Sequence, residues 1–119
     1  MNAKRVKKYK LVGREKVDGR LYWRIEALRD IPRHGVRKGD KGGLIEKVKN
    51  LSQYGNSWVS GNAIVSELAR VRKSGLVCGD SWVCGTATVY GWVGDNALVC
   101  GGVTVVEGQR VGMGDIFGF

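Results

Sequence analysis

The residues of this sequence first considered for acid-base, redox or metal chemistry are three cysteines and a single histidine, because its carboxylates form no paired-carboxylate motif. Cys78 begins the triplet C-G-D and Cys84 the triplet C-G-T, and neither has the C-x-x-C spacing that zinc sites use. His34 lies in a loop-like segment, and a lone loop histidine is more often a structural hydrogen-bonder than a general base. We therefore expect no metal, no cofactor and no enzymatic activity.

Charge is the second chemical signal, and it is concentrated in the first half of the chain. Residues 1–50 contain sixteen Lys and Arg against six Asp and Glu, whereas residues 51–119 contain four against five. A dense positive surface attracts phosphate-rich partners without needing a fixed geometry. We expect an anionic partner, most simply nucleic acid bound without sequence preference; the alternative is a solvated face that only keeps the protein soluble. The candidate anion-binding residues are Lys8, Lys10, Arg14, Lys16, Arg20, Arg24, Arg37 and Lys38.

Most of these cations are positioned by a predicted β-hairpin over residues 6–30. Apolar and polar residues alternate on both sides of V-D-G, and a three-residue loop closed by Gly19 pairs Leu11 with Ile25 on one face. The cations then occupy the other face. Residues 31–43 have the Gly, Pro and charge content of a connecting loop.

A six-residue period follows this loop and is the strongest signal in the chain. The repeated residue is valine, with a small residue two positions earlier; the first six are Val59, Val65, Val71, Val77, Val83 and Val89. An amphipathic helix needs apolar residues three and four apart, and a meander needs a turn about every 8–12 residues, so neither fits. The period predicts short parallel strands, three to a turn, that form a triangular prism whose coils stack about 4.8 Å apart.

Two segments resemble a known family. Residues 36–63, V-R-K-G-D-K-G-G-L-I-E-K-V-K-N-L-S-Q-Y-G-N-S-W-V-S-G-N-A, and residues 21–28, L-Y-W-R-I-E-A-L, are similar to the lead-in of hexapeptide-repeat, left-handed β-helix proteins found in phages and prophages. The resemblance implies the left hand of the coil and a phage-derived protein in a bacterial host. Because many hexapeptide β-helices are acyltransferases with a histidine base, an acyltransferase-like enzyme using His34 is one alternative. A phage inhibitor of a host defence complex is another.

The period breaks once, after Val89. Val93 follows four residues later, so the side from Tyr90 to Val93 is two residues shorter than the others, and the six-residue step then continues to Val111. The sides fall in turn on three faces of the prism. We number them so that the hexapeptide ending at Val59 lies on face one.

The residue before each valine should point outward, and on two faces these residues are apolar. Face one shows Trp58, Leu76, Trp92 and Arg110, face two shows Ile64, Trp82 and Leu98, and face three shows Arg70, Thr88 and Thr104. Face three therefore suits water. Apolar ladders of a few hundred Å² are large for a soluble monomer, so we expect the hairpin, a second copy in a dimer or trimer, or another protein to cover them.

The same assignment places Cys84 and Cys100 in neighbouring coils of face two, with their Cα atoms about 5 Å apart, which permits a disulfide. We favour the alternative, a ladder of reduced thiols. The sequence shows neither a signal peptide nor a segment of roughly 18 apolar residues, so we expect a cytoplasmic protein that does not engage the membrane.

These patterns predict an all-β fold: a left-handed parallel β-helix of about three triangular coils, preceded by an N-terminal β-hairpin. Residues 1–43 form the basic hairpin with its connecting loop, and residues 44–119 form the hexapeptide-repeat β-helix with a C-terminal cap. The cap consists of Ile116, Phe117 and Phe119, because M-G-D-I-F-G-F abandons the period; alternatively these residues form a self-association contact. We expect a non-enzymatic binding protein and a homo-oligomer, with Phe117 and Phe119 as interface residues alongside the apolar ladders.

Overall fold

A computed structural model describes residues 7–118 of the chain. Among these residues the regular elements are β-strands and two single turns of 3₁₀ helix, Pro32–His34 and Val48–Asn50. No helix in this range is long and apolar enough to cross a membrane. The longer strands are β1 (Tyr9–Val17), β2 (Arg20–Ala27) and β3 (Lys41–Ile45). The two-residue strands are β4 (Trp58–Val59), β5 (Ile64–Val65), β6 (Arg70–Val71), β7 (Leu76–Val77), β8 (Trp82–Val83), β9 (Thr88–Val89), β10 (Trp92–Val93), β11 (Leu98–Val99), β12 (Thr104–Val105), β13 (Arg110–Val111) and β14 (Ile116–Phe117).

Strands β1 and β2 form the predicted antiparallel hairpin, with Leu11 opposite Ile25. Its loop has two residues and not the predicted three. Asp18 and Gly19 both have positive φ, 50° and 82°, which is the conformation that a two-residue hairpin turn requires. Val17, which was predicted to lie in the loop, instead pairs with Arg20. The register of β1 shifts by one residue at Val12, which forms a β-bulge, so Leu11 still lies opposite Ile25.

The repeats form a parallel β-solenoid, as the valine period predicts. Face one contains β4, β7, β10 and β13, face two contains β5, β8, β11 and β14, and face three contains β6, β9 and β12. Val65 lies opposite Val83 in the next coil, eighteen positions later in the chain. The solenoid makes about four turns and not three, because β3 pairs with β5 before the first coil and β14 pairs with β11 after the last. The left hand of the coil stays a prediction.

The interior of the prism is a stack of short side chains. The repeat valines from Val59 to Val111 are buried, and so are small residues two positions before a repeat valine, such as Ser57 and Ala63. Backbone N–H groups of each coil donate to carbonyl oxygens of the next on all three faces. The filling changes toward the C-terminal end, where the position two before the repeat valine holds the half-buried Val103 and then the exposed Gln109.

One corner of the prism is shorter than its neighbours, as the break in the period predicts. Between β9 and β10 the chain has only Tyr90 and Gly91, whereas the equivalent corners of the adjacent coils have four residues each, 72–75 and 106–109. Strand β10 accordingly pairs with β7 sixteen positions earlier, not eighteen. The shortened corner leaves a gap in the stack of corners.

The hairpin is tied to the coil by hydrogen bonds as well as by packing. The Tyr9 hydroxyl donates to the carbonyl oxygen of Leu51 at 2.6 Å and lies 3.0 Å from that of Val48. The Gln53 side chain accepts from the backbone N–H groups of Lys8 and Tyr9 and donates to the Tyr9 carbonyl. Strand β3 pairs with β2 on one side and β5 on the other, so one seven-stranded sheet runs from the hairpin into face two.

The buried Asn50 side chain organises the lead-in to the solenoid. Its Oδ1 accepts from the N–H groups of Glu46 and Lys47, at 3.0 and 2.8 Å, and its Nδ2 donates to the carbonyls of Glu67 and Ala69, at 3.1 and 2.8 Å. Both ends of the amide are therefore satisfied. The 3₁₀ turn that ends at Asn50 is held against the coil.

The C-terminal segment continues the solenoid, so the predicted break in the period there is wrong. Ile116 and Phe117 form β14 and pair in parallel with β11. Phe117 occupies the position of a repeat valine, six residues after Val111, and its different side chain hid the repeat. Phe119, the third residue assigned to a cap, lies outside the described residues.

Candidate functional site

Lys8 was predicted to lie on an exposed basic face of the hairpin, and that placement is wrong. The side chain is buried, and its Nζ donates to Ser57 Oγ at 2.8 Å. Burial, with a smaller contribution from the charge of Arg29, lowers the pKa of Lys8 to about 7. The physical reason is that the start of β1 lies against the loop before β4, which covers this side chain.

Arg24 is committed to contacts inside the protein. Its guanidinium makes a two-pronged contact with Glu15, at 2.7 and 2.8 Å, and donates to the carbonyls of Gly42 and Gly61, both at 3.1 Å. The hydrogen bond from Arg24 lowers the pKa of the Glu15 carboxyl. Arg24 therefore joins the hairpin to the first coil and offers little charge to a partner.

Three further hairpin cations lie beside acidic or aromatic groups. Lys10 is 3.7 Å from Glu26, Arg20 is 3.9 Å from both Glu46 and Glu67, and Arg14 is 4.8 Å from the centre of the Trp23 ring. Lys16, Arg37 and Lys38 are exposed. Because nearby carboxylates offset part of its charge, the hairpin presents a weaker positive surface than the sequence suggested.

The apolar ladder of face one stacks as predicted but is partly covered. Trp58 is buried in one cluster with Tyr9 and Ile31, so the N-terminal segment closes the start of this face. Leu76 and Trp92 are half-buried. Trp58 cannot serve as a docking residue in this arrangement.

The ladder of face two is covered in its first coils by the hairpin. Ile64 is buried with Tyr22 of β2, whose ring also meets Trp82 edge-on, with the ring centres 6.3 Å apart. Burial raises the pKa of the Tyr22 hydroxyl. Trp82 and Leu98 remain half-buried, and Phe117 is 40% exposed. Of the predicted coverings, the hairpin is therefore the one seen here.

Cys84 and Cys100 lie in neighbouring coils of face two, with their Cα atoms 4.5 Å apart, and form a disulfide. The favoured expectation of reduced thiols is wrong for this pair, and the alternative holds. Cys78 is a free thiol whose pKa is raised by burial.

His34 serves as a structural contact between the loop and the coil. Its Nε2 lies 3.0 Å from the carbonyl oxygen of Ser74, so Nε2 carries a proton and donates it, which leaves Nδ1 bare in the neutral ring. Burial lowers the pKa of His34. The contact ties the loop after β2 to a corner of the solenoid.

A cluster of cations lies on face three, the face that the sequence analysis assigned to water. Exposed side chains of Lys49, Arg70, Arg72 and Lys73 line two adjoining clefts of about 390 and 300 Å³. Tyr54, which is 63% exposed, borders both clefts. No carboxylate lines either cleft among residues 7–118. We call this surface, formed by the four cations and Tyr54, the basic groove.

Each cation of the basic groove is placed by a different feature of the solenoid. Arg70 is the outward residue of β6, Arg72 and Lys73 occupy the corner that follows, and Lys49 comes from the 3₁₀ turn before the first coil. Counting charge by halves of the chain missed this cluster, because three of its cations belong to residues 51–119, which have no net positive charge. The signal that could have found it is Arg70, the one cation among the outward residues of face three, which is followed after Val71 by Arg72 and Lys73.

The sequence matches no protein-family model and no curated protein.

Proposed function

We propose that this protein is a non-enzymatic binding protein whose partner is a nucleic acid, contacted at its phosphates without sequence preference. The observation that carries the proposal is the basic groove. Four exposed cations lie together there, and within the described residues its clefts are lined by no carboxylate. Such a surface attracts phosphates.

The solenoid also supports the proposal by holding these cations on a rigid frame. Arg70, Arg72 and Lys73 lie on one strand and its corner, and backbone hydrogen bonds fix this segment to the next coil. A preorganised surface loses less conformational freedom on binding than a flexible basic tail does. The exposed hairpin and loop cations, Lys16, Arg37 and Lys38, add to the attraction at longer range.

Fluorescence anisotropy with a labelled single strand of about 20 nucleotides tests the proposal across salt concentrations. If the four groove cations each contact a phosphate, the logarithm of the binding constant should fall with the logarithm of salt with a slope of about −3. A variant with Lys49, Arg70, Arg72 and Lys73 all changed to Gln should lose most of the binding and most of the slope.

The matched control changes Arg14, Lys16, Arg37 and Lys38 to Gln, which removes the same charge from the hairpin and its loop. Circular dichroism checks that both variants keep the β fold. Binding that does not weaken with salt, or that falls equally in the two variants, would contradict the groove as the site.

Self-association is a second candidate function, and the last coil favours it. Strand β14 is the outermost strand of its sheet, and its residues Ile116 and Phe117 are 64% and 40% exposed. An outer strand presents unpaired backbone groups, and apolar side chains beside them favour pairing with another copy of the chain. The homo-oligomer expected from the sequence would form at this end and not through Trp58 or Ile64.

A further inference from the structure

The shortened corner leaves a recess beside the basic groove. Only Tyr90 and Gly91 form this corner, while residues 72–75 and 106–109 form longer corners in the coils on either side. The recess has a volume of about 220 Å³. Pockets for drug-sized ligands have roughly 300–1,000 Å³, so this one suits a single planar ring system.

Tyr90 connects the recess to the groove, because it lines both. Its half-buried ring lies 5.5 Å from the Nζ of Lys73, a cation of the groove. An aromatic surface and a phosphate-binding charge are therefore adjacent. This combination is typical of single-strand binding sites, in which bases stack on aromatic rings while cations follow the backbone.

The charge of the recess differs from that of the groove. Glu107 lines the recess together with Arg33 and Arg110, whereas the two clefts of the groove have cations and no carboxylate among the described residues. The Arg110 guanidinium lies 4.2 Å from the centre of the Trp92 ring. With two arginines against one glutamate, the recess is less positive than the groove and offers hydrogen-bond donors beside an acceptor. The edge of a nucleotide base presents both kinds of partner.

We propose that the recess holds one unpaired base of a single-stranded nucleic acid, stacked on Tyr90, while the basic groove holds the neighbouring phosphates. This inference rests on the proposed function and narrows the partner to nucleic acid with exposed bases. A paired base cannot enter, because its edge and faces are occupied within the duplex.

The test compares the wild-type protein on two labelled strands of equal length and charge, oligothymidylate and a strand whose bases are replaced by abasic sites. The strand with bases should bind roughly fivefold to a hundredfold more tightly. Tyr90→Leu keeps an apolar side chain but removes the stacking surface, so it should abolish this preference and the two strands should then bind equally. Tyr90→Phe should retain the preference, and the control Tyr54→Leu should retain most of it.

Three results would overturn the inference. Equal wild-type binding of the two strands, which needs no variant, would show that no base is held and would leave the proposed function standing. A preference that survives Tyr90→Leu, or that is lost in Tyr54→Leu alone, would place the base contact elsewhere. Failure of both strands to bind would reject the proposed function itself, and this inference with it.

Discussion

Lys8 and Lys16 lie on the same N-terminal segment and have the same side chain, but only Lys8 is covered by the coil. Lys16 is exposed, whereas Lys8 is buried against Ser57 and has its pKa lowered to about 7, mainly by burial. In the unfolded chain Lys8 would have the ordinary pKa of 10.5. Folding therefore releases a proton from Lys8 between these two values.

The stability of the protein should depend on this proton. Between pH 7 and 9 the unfolded state binds a proton at Lys8 that the folded state has lost, so the free energy of unfolding should rise with pH, by at most about 1.4 kcal/mol per pH unit. The raised pKa values of Tyr9 and Tyr22 act only above this window, whereas the raised pKa of Cys78, whose ordinary value is 9.0, opposes the rise at its upper end. Denaturant unfolding of Lys8→Met should lack the rise, and the control Lys16→Met should keep it. A flat wild-type profile would mean that Lys8 is charged in the folded protein.

The stacked corners are the elements that hold successive coils at a fixed distance. Gly85 has a φ of 66°, and a Cβ there would lie 2.5 Å from the backbone nitrogen of Gly101 in the next coil. Gly108 also has a positive φ, 86°, but a Cβ there would meet no atom within 4 Å in the described part of the chain. Both positions need a positive φ, but only at Gly85 would a Cβ collide with the backbone of the next coil.

This pair separates the cost of backbone conformation from the cost of stacking. Gly108→Ala should lose about 1 kcal/mol of stability through its positive φ alone. Gly85→Ala should lose at least about 2 kcal/mol more, because the backbones of two coils must move apart. Urea or thermal unfolding measures both variants. Equal losses would show that corners are not held by close backbone contact.

At the scale of the whole molecule, the two ends of the solenoid differ in how much of their apolar surface is covered. The N-terminal segment covers the outward residues Trp58 and Ile64 of the first coils. At the other end Ile116 and Phe117 are exposed on the outermost strand of face two. The last described coil is therefore the place where we expect copies of the chain to meet.

The solution mass tests this expectation. The wild-type protein should have a mass above the 13.0 kDa of one chain, and Ile116→Lys should shift it toward the monomer. Leu68→Lys is the matched control, because Leu68 is 61% exposed but lies at a corner between β5 and β6. Light scattering at low and high salt separates this association from nucleic acid carried over in purification. A monomeric wild type, or equal effects of the two changes, would contradict association through this end.

The sequence by itself determined the architecture of the repeats. Once Val65 and Val83 are taken as inward residues of neighbouring coils, the faces, the register and the shortened side at Tyr90 follow, because only one way of stacking keeps every valine inside. The prediction was wrong where one residue type changed: Phe117 replaces the valine, so the last strand was taken for a cap. The hairpin pairing was predicted, but the bulge at Val12 was not.

Only the tertiary structure decided which surfaces are open to a partner. Lys8 is removed from the surface by Ser57, 49 positions away, and Lys49 joins Arg70 in one groove although 21 positions separate them. Charge and hydropathy are properties of each residue, so the sequence shows which residues are cations and which outward positions are apolar. Burial and pairing are properties of what lies next to a residue in space, and that depends on how the hairpin packs against the coil.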